Sequence, residues 1–373
     1  MAAQVIVLVG PVRSGKTSEL LRTYHAALET ASAERLGAAF WLAPNGRTAA
    51  TIRDQLVRMG LTAALSPGVL TFADLTRQIL NATNIRLNPI DSAQSRDLFR
   101  RVVAKSLRDN KLSYFAESAA RPGFIELLAD HISELKRRDI RPDTYASMIS
   151  RRLGEQPHQE LAHLYTEYEA LLATHNLIDA EGSHMAAREA LAQNTCRRFE
   201  NVELVVADGF SDLTGSEIEL LQALSRRSKQ LLISLPADSS IANDRPGRIS
   251  EVLHRPDLFA KTAATLSELH HYFPDLEMRQ LACRPLPSPA INYIAQQIFR
   301  NPTRVAAPTA DALDSLSQVE IVEAASAQDE IVQIARRVKA LLTTPHSTSP
   351  TRPGDVLVVF RSLTEVAPRV REV

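Results

Sequence analysis

Gly10-Pro11-Val12-Arg13-Ser14-Gly15-Lys16-Thr17 is the stretch that decides which fold the sequence predicts. It matches G-x-x-x-x-G-K-[ST], the pattern of a phosphate-binding loop, or P-loop. The run from Gln4 to Val9, apolar after Gln4, predicts a buried strand before the loop, and a helix is predicted from Ser18 to Thr30. A strand before and a helix after are the context that a P-loop requires, so we interpret the match as functional rather than as a chance glycine turn.

Each residue type in the loop has a physical role in holding a triphosphate. Glycines let the backbone pass close to a phosphate, and the amides at the following helix N-terminus supply positive partial charge. Lys16 is predicted to reach the β- and γ-phosphate oxygens, and the Thr17 hydroxyl to complete the shell of a magnesium ion. ATP and Mg²⁺ are the predicted cofactors. The predicted cofactor-binding residues are Gly10, Arg13, Ser14, Gly15, Lys16, Thr17 and Ser18.

A second acidic group, at the end of a neighbouring strand, is expected to hold the magnesium ion through water. The best candidate is Asp208, which ends the apolar run from Val202 to Ala207. We therefore predict Lys16 and Asp208 as catalytic residues, and Thr17 and Asp208 as the residues that bind Mg²⁺. The alternative is that Asp208 only caps a turn.

The residue after Asp208 is Gly209, where helicase-type ATPases usually carry a glutamate that activates water. Nucleotide binding with weak hydrolysis is therefore expected, although Asp212 or Glu217 could take over the missing role. Nearly two hundred residues separate Lys16 from Asp208, more than in GTPases and small nucleotide kinases, and the chain has no Asn-Lys-x-Asp guanine motif. A helical insertion between the loop and the acidic strand is a feature of UvrD-type helicases.

Alternating strands and helices on either side of a long helical stretch predict an α/β fold. Residues 1–90 and 200–310 are predicted to form a RecA-like P-loop domain with a parallel sheet. Residues 91–199 show helical stripes and no convincing strand, and we interpret them as a large helical insertion. Residues 311–373 are predicted to begin a second RecA-like domain, with strands at Val319 to Val322 and Asp355 to Phe360. That domain is expected to be incomplete, because two strands leave both edges of a sheet uncovered.

Composition indicates a globular protein without a global preference for polyanions. Lys and Arg together number 43 and Asp and Glu together 43, so the net charge favours neither nucleic acid nor an anionic membrane. Cys196 and Cys283 form neither a disulfide framework nor a set of metal ligands, and they fit a reducing compartment. No run approaches the ~18 apolar residues of a membrane span. We predict a cytoplasmic protein with no membrane partner.

The order of its motifs gives the chain a resemblance to the N-terminal portion of the B subunit of AddAB/RexAB ATP-dependent helicase–nucleases, which have a UvrD-like superfamily 1 helicase fold. Each motif except the P-loop is weak alone, but together they span nearly the whole chain in the same order. The resemblance is carried, beyond the P-loop, by Trp41 to Pro44, Leu70 to Leu75, Gly123 to Leu128, Ile132 to Arg137, Tyr165 to Asp179, Asp208 to Leu221, Val319 to Ala324 and Gly354 to Arg361.

The resemblance implies an ATP-binding protein that works in a heterodimer with a helicase partner, the A subunit of the same complex. Such complexes process DNA double-strand break ends for recombinational repair, so single-stranded or duplex-end DNA is the implied substrate. A PD-(D/E)xK nuclease and a cysteine-bound iron–sulfur cluster are also implied, and are expected beyond Val373, because two cysteines cannot hold the cluster. The chain also ends before the arginine that would reach the γ-phosphate. The resemblance thus implies a weak, partner-dependent ATPase without a nuclease site.

Two other interpretations of the P-loop remain open. The chain could be a stand-alone P-loop ATPase or small-molecule kinase with a helical lid. It could also be a scaffold that binds ATP only for stability.

Several other residues admit both a functional and a purely structural interpretation. The loop from Pro44 to Thr48 either contacts the DNA backbone or is a turn with a helix cap. Phe72 either stacks on single-stranded DNA or, as we favour, belongs to the core, as does Trp41. The short basic runs Lys136 to Arg138 and Arg151-Arg152 are predicted to be solvated surface.

Overall fold

The computed structural model describes residues 3–30, 38–61, 68–83, 87–151, 156–193, 196, 199–237, 255–282, 286–343 and 351–372. Arg152 and Cys283 lie outside these residues. The chain divides into two compact units. The first comprises residues Met1–Arg284 with Phe299–Thr303, and the second comprises Pro285–Ile298 with Arg304–Val373.

The first unit combines strands and helices throughout. Its described elements are β1 (Gln4–Gly10), α1 (Lys16–Thr30), β2 (Ala39–Leu42), α2 (Gly46–Arg58), β3 (Val69–Leu70), α3 (Phe72–Asn81), β4 (Asn88–Pro89), α4 (Ser92–Arg108), α5 (Pro122–Arg137), α6 (Pro142–Arg151), α7 (Gln156–Thr174), β5 (Leu177–Ile178), α8 (Ala180–Ala192), β6 (Val202–Ala207), α9 (Gly215–Ser225), β7 (Ser228–Pro236), α10 (Pro256–Tyr272) and β8 (Glu277–Gln280).

Six strands of the first unit form one parallel sheet in the order β3-β2-β6-β7-β1-β8. The strands predicted from Gln4 to Val9 and from Val202 to Ala207 are confirmed. Strand β3 ends at Leu70, because Thr71 caps α3 and its hydroxyl accepts a hydrogen bond from the Asp74 amide. The prediction of an α/β fold with a parallel sheet is confirmed.

Each face of the sheet is covered by its own layer of helices. One apolar cluster joins alternate sheet residues, such as Val7 and Val205, to α3, α8, α9 and α10. The second cluster joins the opposite face, including Ile6 and Trp41, to α1 and α2. Central parallel strands covered on both faces contain near-continuous apolar runs, which is why the sequence indicated them. Trp41 and Phe72 belong to these clusters, as predicted.

A third apolar cluster lies away from the sheet and is formed mainly by α4, α5 and α7. Phe99 and Tyr168 stack at its centre with ring centroids 3.9 Å apart. The expectation that residues 91–199 contain no strand is wrong in one detail, since β5 pairs with β4 in parallel. Two-residue strands are too short to leave a periodic signal. Helix α8 belongs to this stretch by sequence, but its apolar residues pack in the sheet cluster.

The basic run at the end of α5 is not uniformly solvated. Lys136 is only 3% exposed, and its ammonium group lies 2.7 Å from a carboxylate oxygen of Glu169 and 2.7 Å from one of Asp179. Burial disfavours the ammonium form, but the two carboxylates outweigh it and raise the pKa of Lys136. The prediction of a solvated face is therefore wrong for Lys136, while Arg137 and Arg138 are exposed.

The second unit is helical where it is regular. Its described helices are α11 (Pro289–Gln297), α12 (Ala310–Asp314), α13 (Ala327–Thr343) and α14 (Leu363–Glu372). The strands predicted at Val319 to Val322 and Asp355 to Phe360 are wrong for the described residues, where these segments pair with no neighbour. Ile321 and Leu357 are 94% and 84% exposed. Short apolar runs favour a strand only where a neighbouring strand pairs with them and a layer covers them.

Membrane insertion has no support among the helices that the structure describes. None of them combines the length and the apolar character needed to cross a bilayer.

The buried ion cluster at Lys136 gives a stability prediction. Replacing Lys136 with Met leaves Asp179 and Glu169 without their cation, and breaking a buried pair in this way costs about 3–5 kcal/mol. We therefore expect a clear fall in the urea midpoint of the first unit. Lys105→Met is the matched control, because Lys105 forms an exposed ion pair with Glu167 on α7 and should leave the midpoint nearly unchanged. Equal losses in the two variants would contradict the prediction.

Candidate nucleotide-binding site

The predicted P-loop and the predicted acidic residue lie at the same edge of the sheet. Strands β1, β7 and β6 are adjacent and parallel, with β7 in the middle. Their carboxyl ends therefore point to one edge, where β1 ends at Gly10 and β6 ends one residue before Asp208. Ligands of open α/β sheets bind in crevices at this edge.

Gly10 lies where neighbouring backbone segments approach β1 from both sides. Its carbonyl accepts a hydrogen bond from the Ala237 amide, and the Leu281 amide donates to the Val9 carbonyl. A Cβ atom at Gly10 would lie 2.6 Å from the Leu281 carbonyl oxygen and 2.9 Å from Ser14 Oγ. Lack of space therefore requires glycine at position 10.

The loop between β1 and α1 contains two residues with left-handed backbone. Arg13 has φ of 65° and Gly15 has φ of 93°. Ser14, between them, is buried, and its amide donates to the Pro11 carbonyl. Left-handed residues in such a turn are typical of the concave arrangements of amides that bind anions. The Arg13 side chain is exposed at the rim of the loop.

Lys16 begins α1 and folds its side chain back over the loop. Its ammonium group donates to the carbonyls of Gly10 (2.6 Å) and Pro11 (2.9 Å) and to Ser14 Oγ (3.3 Å). Burial lowers the pKa of Lys16, and the negative charge of Asp208 partly offsets this effect. The structure thus brings the two predicted catalytic residues into electrostatic contact.

The first turn of α1 supplies the remaining predicted groups. Thr17 is half-buried and Ser18 is exposed. The Glu19 amide already donates to the Gly15 carbonyl, whereas amides before it in a helix have no intrahelical acceptor. This end of α1 therefore offers backbone donors and partial positive charge to an anion.

Asp208 is almost fully buried, with 3% of its surface exposed. The Ser234 hydroxyl donates a hydrogen bond to Asp208 Oδ1, and the Asp208 amide donates to the Leu42 carbonyl. No group of three or more His, Cys, Asp and Glu side chains in the described part of the chain is arranged to hold a metal ion.

Asp212 and Glu217, the two candidates for a water-activating base, both form hydrogen bonds close to their own positions in the chain. Asp212 accepts a hydrogen bond from Ser211 Oγ (2.6 Å) and lies 3.5 Å from the Lys261 ammonium group. Glu217 accepts from both the amide (2.8 Å) and the hydroxyl (2.9 Å) of Thr214 in a capping box that begins α9. Both carboxylates therefore have local structural roles.

The loop from Pro44 to Thr48 caps helix α2, which is the structural one of its two predicted roles. Asn45 Oδ1 accepts hydrogen bonds from the amide (2.9 Å) and the hydroxyl (3.1 Å) of Thr48, at the start of α2. Arg47 remains exposed. Contact between this loop and the DNA backbone stays a prediction.

Ser234 is the residue at this edge that the sequence analysis missed. It lies near the carboxyl end of β7 and is 2% exposed. Its signal in the sequence is a single hydroxyl within the apolar run Leu231 to Leu235. A buried polar group in such a run needs a partner, and Asp208 is that partner.

Comparison with known proteins shows the family to which the chain belongs. The family model described as ADDB, N-terminal matches residues 7–286, which is more than half of the chain. The chain belongs to this family. The matched residues include the loop from Gly10 to Thr17, Asp208 and Ser234.

The names of similar proteins agree with this family. Three bacterial proteins, each named as the B subunit of an ATP-dependent helicase/deoxyribonuclease, resemble it. The protein of Natranaerobius thermophilus is 24% identical over 98% of this chain and 31% of its own length. The Bacillus mycoides protein is 23% identical over 95% and 30%, and the Desulforudis audaxviator protein is 25% identical over 81% and 25%. The chain therefore spans less than a third of the length of these AddB-type relatives.

The crowding at Gly10 gives a prediction that does not depend on a ligand. Gly10→Ala places a methyl group against the Leu281 carbonyl oxygen, and overpacking of this kind costs about 1–3 kcal/mol. We expect a lower thermal midpoint, measured by circular dichroism. Gly46→Ala is the matched control, because a Cβ there meets no atom within 4 Å and should change stability by less than about 0.5 kcal/mol. A Gly10→Ala midpoint equal to that of Gly46→Ala would contradict the crowding.

Proposed function

We propose that the chain is the ATP-binding N-terminal part of a helicase–nuclease subunit that processes DNA double-strand break ends for recombinational repair. The observation that carries this proposal is the position of Lys16 and Asp208 at one sheet edge, in electrostatic contact. Membership of the AddB N-terminal family supports it. The names of the AddB-type relatives supply the helicase and deoxyribonuclease context.

The residues of the loop fit a triphosphate. The close backbone packing at Gly10 and the left-handed residues Arg13 and Gly15 form a tight turn with its amides near the start of α1. The Lys16 ammonium group donates to loop oxygens, and phosphate oxygens are stronger, charged acceptors for the same donors. We propose that Lys16 exchanges loop carbonyls for phosphate oxygens when ATP binds.

The acidic side of the site fits a magnesium ion. Thr17 and Asp208 offer a hydroxyl and a carboxylate, which are the hard oxygen ligands that Mg²⁺ prefers. When bound, the ion would neutralise charge on the phosphates. We propose that Thr17 holds it directly and Asp208 through water.

We propose that the chain hydrolyses ATP weakly without its partner. The usual position of a water-activating glutamate is occupied by Gly209. Asp212 and Glu217 are held by Lys261 and Thr214, respectively. The hydrogen bonds of Glu217 with Thr214 hold it at the start of α9. Burial raises the pKa of Glu217, and these hydrogen bonds partly offset that effect.

The domain assignment is part of the same proposal. Residues 1–90 and 200–310 would form a RecA-like P-loop domain, and residues 91–199 a helical insertion. The parallel sheet with helices on both faces supports the first assignment. The separate apolar cluster of α4, α5 and α7 supports the second.

The proposed setting is a cytoplasmic heterodimer on DNA. The relatives are named as B subunits, and we propose that this chain likewise works with a helicase partner, the A subunit of such a complex, on single-stranded or duplex-end DNA. The nuclease and iron–sulfur cluster would belong to sequence outside this chain. Cys196, which is buried with its thiol facing the Ile79 carbonyl, is not available to such a cluster.

Removal of the Lys16 ammonium group tests nucleotide binding. Lys16→Ala removes charged hydrogen bonds to phosphate, and we expect the Kd for Mg–ATP, measured by isothermal titration calorimetry, to rise at least about tenfold. Lys111→Ala, which changes an exposed lysine in the helical part of the first unit, should bind as the unmodified chain does. No heat of binding to the folded, unmodified chain at millimolar ATP and magnesium would reject the proposed nucleotide site.

Salt dependence of DNA binding separates the proposed helicase–nuclease role from the alternative, a stand-alone P-loop ATPase or small-molecule kinase. The proposal predicts binding to a single-stranded oligonucleotide, measured by fluorescence anisotropy, that weakens steeply as salt rises. Arg47→Ala should reduce the slope of log K against log salt by about 0.7, one phosphate contact. Arg58→Ala, at the other end of α2, is the control. No affinity at low salt would favour the alternative.

A further inference from the structure

The buried run from Leu231 to Leu235 of strand β7 contains one hydroxyl, that of Ser234. Leu231, Leu232, Ile233 and Leu235 are buried, and Ser234 is 2% exposed between them. Burying a hydroxyl without a partner costs free energy that an alanine would avoid. The position of Ser234 therefore calls for a specific partner.

That partner is the carboxylate at the end of the neighbouring strand. In the sheet register, Ile233 lies opposite Ala207 of β6, so Ser234 is level with Asp208. The Ser234 hydroxyl donates to Asp208 Oδ1 and accepts a longer hydrogen bond, 3.4 Å, from the Gly209 amide. On its other side, Ser234 lies opposite Leu8 of β1, two residues before Gly10. The Ser234 hydroxyl thus connects β7, which pairs with the P-loop strand β1, to the turn at Asp208 and Gly209.

We propose that Ser234 is a positioning residue that holds Asp208 ready for the magnesium ion of bound Mg–ATP. Its hydrogen bond occupies Oδ1, while Oδ2 has no hydrogen-bond partner among the described residues. The carboxylate therefore presents Oδ2 to a water of the metal shell. This inference rests on the proposed function, since it concerns the same nucleotide site.

The site's two charged groups have separate hydrogen-bond partners. Lys16 and Asp208 attract each other, and a direct ion pair would withdraw both from a ligand. The Lys16 ammonium group instead donates to Gly10, Pro11 and Ser14, while Asp208 accepts from Ser234.

The test compares the magnesium dependence of nucleotide binding. The Kd for ATP is measured by calorimetry with magnesium and with EDTA, in the 373-residue chain and in Ser234→Ala. We expect the ratio of the EDTA value to the magnesium value to fall about tenfold, as for loss of a hydrogen bond to a charged group. The EDTA value itself should change less than about twofold. A purely structural role would lower the melting temperature and leave the ratio unchanged.

Strand β7 also provides the matched control. Ser228 is 5% exposed, and its hydroxyl has no hydrogen-bond partner among the described residues. Ser228→Ala therefore makes the same change in the same strand and should keep the original ratio. Ser234→Cys, nearly isosteric with a weaker donor, should give an intermediate ratio and decides the matter if Ser234→Ala does not fold.

Each outcome separates this inference from the proposed function. An unchanged ratio in Ser234→Ala, or in Ser234→Cys if only that variant folds, overturns the positioning role while nucleotide binding stands. An equal fall in Ser228→Ala also overturns it, because the effect would then belong to the strand. ATP binding to the unmodified chain with no dependence on magnesium overturns it as well. Absence of any ATP binding rejects the proposed nucleotide site itself.

Discussion

Parallel pairing of β1, β7 and β6 is the constraint on which the candidate site depends. Because all three strands run in one direction, their carboxyl ends bring Gly10, Ser234 and Asp208 to one edge from distant parts of the sequence. A shift of one residue in the register of β6 would turn the Asp208 side chain to the other face of the sheet. The near-continuous apolar runs of these strands, buried on both faces, hold that register.

The helical part of the first unit owes its geometry to buried charge as well as to apolar packing. Asp179 accepts a hydrogen bond from the Gly182 amide at the start of α8 and pairs with Lys136 at the end of α5. Both residues lie within stretches that carry the family resemblance. The Asp179 carboxylate therefore has two structural roles. It caps α8, which packs on the sheet, and it neutralises the buried Lys136 ammonium group.

Most of the sheet and the loop could be predicted because their signals are local. An apolar run, a glycine-rich turn and a following helix are all visible within thirty residues. Strand β8 was missed because Glu277–Gln280 is a polar edge strand that only its neighbour β1 defines. The burial of Lys136 and the partner of Ser234 depend on residues distant in sequence. The segments at Val319 and Asp355 show the reverse case, because they are rich in apolar residues but pair with no strand in the described part of the chain.

The backbone at Gly209 also disfavours any side chain at the position where helicase-type ATPases usually carry a glutamate. Its φ of 84° lies in the left-handed region, where a side chain with a Cβ is disfavoured by about 1–2 kcal/mol. A glutamate at position 209 would supply a carboxylate, but its Cβ would strain this left-handed backbone. The preceding residue, Asp208, already accepts a hydrogen bond from Ser234 of β7. Glycine is therefore the residue that this turn accommodates without backbone strain.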